Sequence, residues 1–281
     1  MPSQQLFIES TAPQVILLAG LFYCFMILAG TGVAVSLLRR TLNSPLDWRS
    51  RIEWLCDRPW TWREGTGIFA ILGLLIFLFM AVSPLLPDPR APATLFAQSL
   101  LLDMAGIGVI AAFACTRGWS WSAAFGATGN LVSFFKLGLV FYLALMPFML
   151  FSSLVYQGIL VTHGYPQSLQ DIALLISGAK SPWLKLCVVV LAMVIAPVFE
   201  EYLFRGILLP VLARPLGLGP GVFLSSLAFA CIHAHLPSLV PLTVVATGFS
   251  LAYLYSRSLW VPIAMHSLFN GINLSLLFLI Y

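Results

Sequence analysis

Hydrophobic positions run along this chain in long unbroken blocks rather than in the alternating or amphipathic patterns of water-soluble proteins. Eight apolar blocks can be drawn, at about 13–38, 66–86, 93–115, 131–161, 183–212, 219–235, 238–256 and 259–280. Each approaches or exceeds the roughly 20 apolar residues that a bilayer crossing needs. Several exceed one straight crossing and must tilt, kink or leave the membrane. The expected fold class is therefore all-α, a polytopic membrane helical bundle of about eight transmembrane helices. A division into residues 1–128, the N-terminal helices, and residues 129–281, a helical core that holds the candidate chemistry, fits the position of the polar residues described below.

The polar interruptions are as informative. The longest, residues 39–65, carries Arg39, Arg40, Arg49, Arg51, Arg58 and Arg63 with Trp48, Trp54, Trp60 and Trp62. Trp48, Ile52 and Leu55 recur at helical spacing opposite Arg49, Arg51 and Asp57. That predicts a short amphipathic helix lying in the membrane interface, with tryptophans as anchors. Arg58-Pro59 should then turn the chain into the second span. Residues 162–182, with His163, Pro166, Asp171, Lys180 and Pro182, form a second irregular polar stretch.

Composition sharpens the picture. Of 281 residues 60% are apolar and 9% charged, against roughly 25% charged in soluble domains. A soluble enzyme, a disordered chain and a nucleic-acid binder are excluded. Net charge is only +4, but its placement matters. The first loop together with Arg117, Lys136, Arg214 and Arg257 places ten of the 14 Lys and Arg on one side, and Arg90, Lys180 and Lys185 fall opposite. The positive-inside rule makes the first side cytoplasmic and sets both termini on the other. Residues 1–12 hold no Lys or Arg and include Glu9, unlike a signal peptide. The expected location is an integral, multi-pass protein, in a bacterial plasma membrane. The lipid bilayer is one partner and no nucleic acid is expected. Five isolated cysteines (Cys24, Cys56, Cys115, Cys187, Cys231) argue against a disulfide framework and read as small buried apolar side chains.

Candidate chemistry lies where ionisable residues enter the apolar blocks. Of ten acidic residues, Asp103, Glu200 and Glu201 remain inside spans. His233, His235 and His266 fall in the last third of the chain. Such groups cost about 2.5–3.5 kcal/mol each on insertion, so they are functional candidates. Glu200 and Glu201 point about 100° apart on a helix and cannot share one task. Glu201 and Arg205 stand at i, i+4 in the favourable order, which makes them a salt bridge and leaves Glu200 free. Pro197 should kink the helix just before the acidic pair. His266 and Asn270 share a helical face. Asn273 reads as interhelical hydrogen-bond glue, and His235, beside Pro237, as a loop hydrogen-bonder. Counted at ~1.5 Å per residue, Glu200, His233, His266 and Asn270 reach compatible depths and can line one cavity.

Glu200-Glu201-x-x-x-Arg205, then Phe229-x-x-x-His233, then His266-x-x-x-Asn270, resembles in order and spacing the CPBP family. That family comprises type II CAAX prenyl endopeptidases and related bacterial intramembrane proteases. Residues 58–63 (Arg-Pro-Trp-Thr-Trp-Arg) and Ser181-Pro182-Trp183 are similar to bacterial members. The resemblance implies an intramembrane endopeptidase acting on membrane-embedded or membrane-associated peptides. It implies Glu200 as the base activating water, His233 helping to hold that water, His266 and Asn270 stabilising the oxyanion, and Glu201 and Arg205 as support. A metal-free glutamate mechanism with no cofactor is favoured; zinc held by Glu200, His233 and His266 is the alternative. A non-proteolytic scaffold or bacteriocin-immunity-type protein of the same fold is a second reading. A proton-coupled carrier, with Asp103 as its best support, is a third, and no internal repeat favours it.

Overall fold

The computed structural model describes residues 13–43, 47–126, 129–165 and 181–280. Ten helices carry these residues. They are α1 (Pro13–Asn43), α2 (Trp48–Cys56), α3 (Trp62–Val82), α4 (Pro92–Thr116), α5 (Trp121–Phe125), α6 (Leu131–Thr162), α7 (Pro182–Leu216), α8 (Leu218–Ile232), α9 (Leu239–Ser256) and α10 (Trp260–Ile280). Among the described residues no strand occurs, apart from one isolated bridge between Gly126 and Ser258. Seven helices are long and apolar enough to cross a membrane, so the chain is an all-α polytopic membrane bundle. Residues 1–12 and 166–180, including Glu9, Pro166, Asp171 and Lys180, lie outside the described residues.

The sixth block, 219–235, departs from expectation. α8 has 15 residues, roughly 22 Å at 1.5 Å per residue, short of a 30 Å hydrocarbon core. It ends at Ile232, and His233 caps it rather than lying within it. The reason is local: Ala234 takes a left-handed conformation (φ 47°), and Pro237 follows in a short 3-10 turn. α8 and α9 thus form a hairpin whose irregular tip carries His233 and His235. Non-helical backbone at depth is tolerated where protein encloses it or it lines a cavity.

α2 forms as expected, capped by the Asp47 carboxylate, which accepts from the Ser50 amide. It also packs against the bundle. Leu55 is fully buried, Trp54 packs edge-on to Tyr253, and Arg51 turns back to donate to the carbonyls of Leu254 and Tyr255. Of the four tryptophans around it, Trp48 and Trp62 are exposed, whereas Trp60 is buried and donates to the Ala124 carbonyl at 2.9 Å. Arg214 donates to the carbonyls of Cys56 and Arg58, and Arg257 to Ser50. The basic residues that set the charge asymmetry therefore converge on one end of the bundle as a clamp.

Glu64, which the sequence places in a loop, sits in the first turn of α3. It completes a capping box with Thr61 and pairs with Arg117 at 2.9 Å. The cysteines are free, but Cys24, Cys115, Cys187 and Cys231 face outward rather than inward. In a bilayer the outer face is itself apolar, so burial in a core is not required of them. One hydrophobic core joins residues of α2, α3 and α4 to residues of α7, α8, α9 and α10.

Candidate active site

The site is built on α7, which is not a regular helix. Two wide π-type turns interrupt it, Leu191–Ile195 and Tyr202–Leu208, on either side of the acidic pair. Each is followed, after one intervening residue, by a proline, Pro197 and Pro210. The Ala196 amide donates to the Leu191 carbonyl, five residues back. In that register the donor for the Ala192 carbonyl would be residue 197, and proline has none. Asn270 Nδ2 supplies the missing donor at 2.6 Å. The expected disruption at Pro197 is thus realised as a widened turn, a form common at functional sites.

This register points the two glutamates apart. Glu201 is fully buried and Arg205 Nη1 lies 2.9 Å from its Oε1. The same oxygen accepts from His266 Nδ1 at 2.9 Å. Arg205 also donates to the Ala246 carbonyl at 3.0 Å. Its guanidinium lies over the rings of Phe229 and Phe249, at 4.6 and 5.2 Å. Phe229 therefore earns its place in the motif as a wall for the arginine; it also touches the rings of His233 and His266. Phe249 had no sequence signal beyond being apolar.

Glu200 faces the other way, with 18% of its side chain exposed. Its Oε2 lies 3.7 Å from His266 Nε2 and has no hydrogen-bond partner. Because a carboxylate only accepts, His266 Nδ1 carries the proton given to Glu201, which leaves Nε2 towards Glu200. His266 is thereby held between the two glutamates, a link that spacing alone did not suggest. His233 Nδ1 lies 2.8 Å from the Phe229 carbonyl, which leaves its Nε2 as the free ring nitrogen.

Glu200, His233, His266 and Asn270 line one cavity of about 280 Å³, so the four expected residues are brought together. Glu201 and Arg205 stand behind the wall. Asp103 and Ser99 of α4 also line it, although Asp103 was expected only as support for a carrier. Asn273 reaches the rim, where its amide bonds the Phe269 carbonyl of its own helix rather than a neighbouring one. His235 Nδ1 meets Ser238 Oγ at 2.7 Å, the loop role expected of it. A larger hollow, lined by α1, α6, α8, α9 and α10, contains no ionisable side chain and offers no comparable chemistry. Among the described residues no three His, Cys, Asp or Glu side chains are gathered as a metal-ion set. His266 Nδ1 is held by Glu201 and His233 Nδ1 by the Phe229 carbonyl, which leaves the Nε2 of each ring as the nitrogen a metal could take, and His266 Nε2 stands 3.7 Å from Glu200 Oε2.

Fold and site together define a polytopic membrane protein with a buried acid–imidazole centre. Residues 182–272 match the family model described as Rce1-like, type II CAAX prenyl endopeptidase Rce1-like. That stretch holds Glu200, Glu201, Arg205, Phe229, His233, His266 and Asn270, and the resemblance read from them is borne out there; residues 58–63 and Ser181 lie outside it. The chain is also 33% identical over 84 residues to a Bacillus subtilis (strain 168) protein described as "Putative membrane peptidase YdiL". The match covers 29% of this chain and 34% of that relative, so the chain spans about a third of the relative's length. No solved structure matches the chain.

Proposed function

We propose that the protein is an intramembrane endopeptidase that hydrolyses peptide bonds of membrane-associated proteins or peptides, with Glu200 as the base that activates water. The observation that carries this reading is the separation of the two glutamates. Glu201 is fully buried and neutralised by Arg205, while Glu200 is partly exposed and lines the cavity that His233, His266 and Asn270 also line.

In this mechanism Glu200 takes a proton from water held with His233. The water oxygen adds to the substrate carbonyl carbon, and the π-electron pair moves onto the carbonyl oxygen. One N–H of Asn270 stabilises that oxyanion while the other stays on Ala192, and His266, whose Nδ1 proton is held by Glu201, joins it when a second proton on Nε2 makes the ring an imidazolium. As the intermediate collapses the C–N bond breaks, and the amine nitrogen receives the proton from Glu200. The products are a carboxylic acid and an amine, and Glu200 returns to its starting state. The reading is of the glutamate type, and no step is routed through a metal. We further place the protein in a bacterial plasma membrane with both termini non-cytoplasmic, on the asymmetry of its arginines and lysines.

The test compares membrane and secreted peptidomes of cells expressing wild type, Glu200→Gln or His233→Ala, with and without a zinc chelator. Glu200→Gln should lower wild-type-specific products at least 100-fold while the protein stays folded, and the chelator should leave them. Identical peptidomes from wild type and a folded Glu200→Gln would overturn the proposal.

A further inference from the structure

The cavity wall has an unbalanced charge pattern. Asp103 and Glu200 both line it, and no Lys or Arg does. The nearest cation of the motif, Arg205, is fully buried behind the wall and already held by Glu201 and the Ala246 carbonyl. Asp103 makes no hydrogen bond or ion pair among the described residues. Its position is built in. A Cβ at Gly106 would overlap the Phe199 ring, so glycine there lets α4 lie directly against α7 at the residue preceding Glu200. Asp103 stands one helical turn before Gly106, on the same face.

Two carboxylates around one enclosed space repel each other, and inside a membrane that cost is relieved either by a proton kept on one of them or by a cation between them. The rest of the lining suits such a guest. Leu191, Leu274 and Phe269 can pack the methylene stem of a long basic side chain whose charged end reaches the acids. Basic residues are also the ones that flank membrane segments on the cytoplasmic side.

We propose that Asp103 is a specificity-determining residue that receives a Lys or Arg side chain adjoining the scissile bond. This rests on the reading of the cavity as a peptidase site. The substrate class is accordingly a peptide with a basic residue at the edge of an apolar segment.

The experiment uses the full chain in proteoliposomes and acetylated apolar peptides carrying a single Lys, norleucine or Glu at each position in turn. For wild type, kcat/KM should be at least 10-fold higher for the best Lys peptide than for its norleucine counterpart, with the difference in KM. Asp103→Asn should bring the two within twofold, Asp103→Glu should restore the preference, and Asp103→Lys should move it to Glu peptides. Binding is measured in parallel in Glu200→Gln, with and without Asp103→Asn, so recognition is read without turnover. Equal binding of Lys and norleucine peptides by Glu200→Gln would overturn the inference. Lys-selective binding without cleavage by wild type would instead remove the peptidase reading and leave the cation site standing.

Discussion

Glu201 shares its Oε1 between Arg205 and His266, whereas its neighbour Glu200 makes no such pair and lines the cavity. The two cannot substitute for one another, because their partners belong to different sides of α7. The Glu201–Arg205 pair is fully buried, and removing one member of such a pair strands the other charge at a cost of about 3–5 kcal/mol. Arg205→Met should therefore lower the thermal unfolding temperature sharply. The double change with Glu201→Gln should recover much of the loss, since no lone charge remains. Unfolding followed by tryptophan fluorescence in one detergent would decide it; a double variant less stable than Arg205→Met alone would contradict this account.

At the level of the element, α7 owes its shape to prolines that follow wide turns, and to neighbours that approach closely enough to complete it. Asn270 of α10 caps the carbonyl that Pro197 leaves without a donor. Gly106 of α4 brings that helix against Phe199. Gly106→Leu should push α4 away, displace Asp103 from the cavity and reduce peptide cleavage at least 10-fold. Gly108→Leu, two positions on, meets nothing within 4 Å and should change cleavage less than twofold. Equal activity of the two variants would show that the approach of α4 does not shape the site.

Across the whole molecule, the clamp at the basic end and the cavity are separate devices. Arg51, Arg214 and Arg257 join α2 to the ends of α7 and α9 by backbone and side-chain hydrogen bonds, far along the chain from the glutamates. Arg51→Ala leaves two buried-end carbonyls without their donor, which costs about 1–3 kcal/mol. The unfolding temperature should fall by several degrees while activity per folded molecule stays within twofold. Loss of activity at unchanged stability would tie the clamp to the chemistry instead.

Much of this molecule is legible in one dimension because the bilayer imposes one-dimensional rules. Length and apolarity mark out spans, so the eight blocks correspond to eight of the ten helices, with edges a few residues off. Charge asymmetry places Arg117, Arg214 and Arg257 at one end, and i, i+4 spacing pairs Glu201 with Arg205. What the chain alone could not decide depends on which helices touch. The α8 block is as apolar as a full span, yet Ala234 and Pro237 end it early and set His233 at a hairpin tip. His266 and Asn270 share a face by spacing, but only packing commits one to Glu201 and the other to Ala192. Asp103 joins the same cavity from a helix nearly 100 residues away, through the close approach that Gly106 permits. Periodicity reports which side of a helix a residue occupies; the partner on that side is settled by tertiary packing.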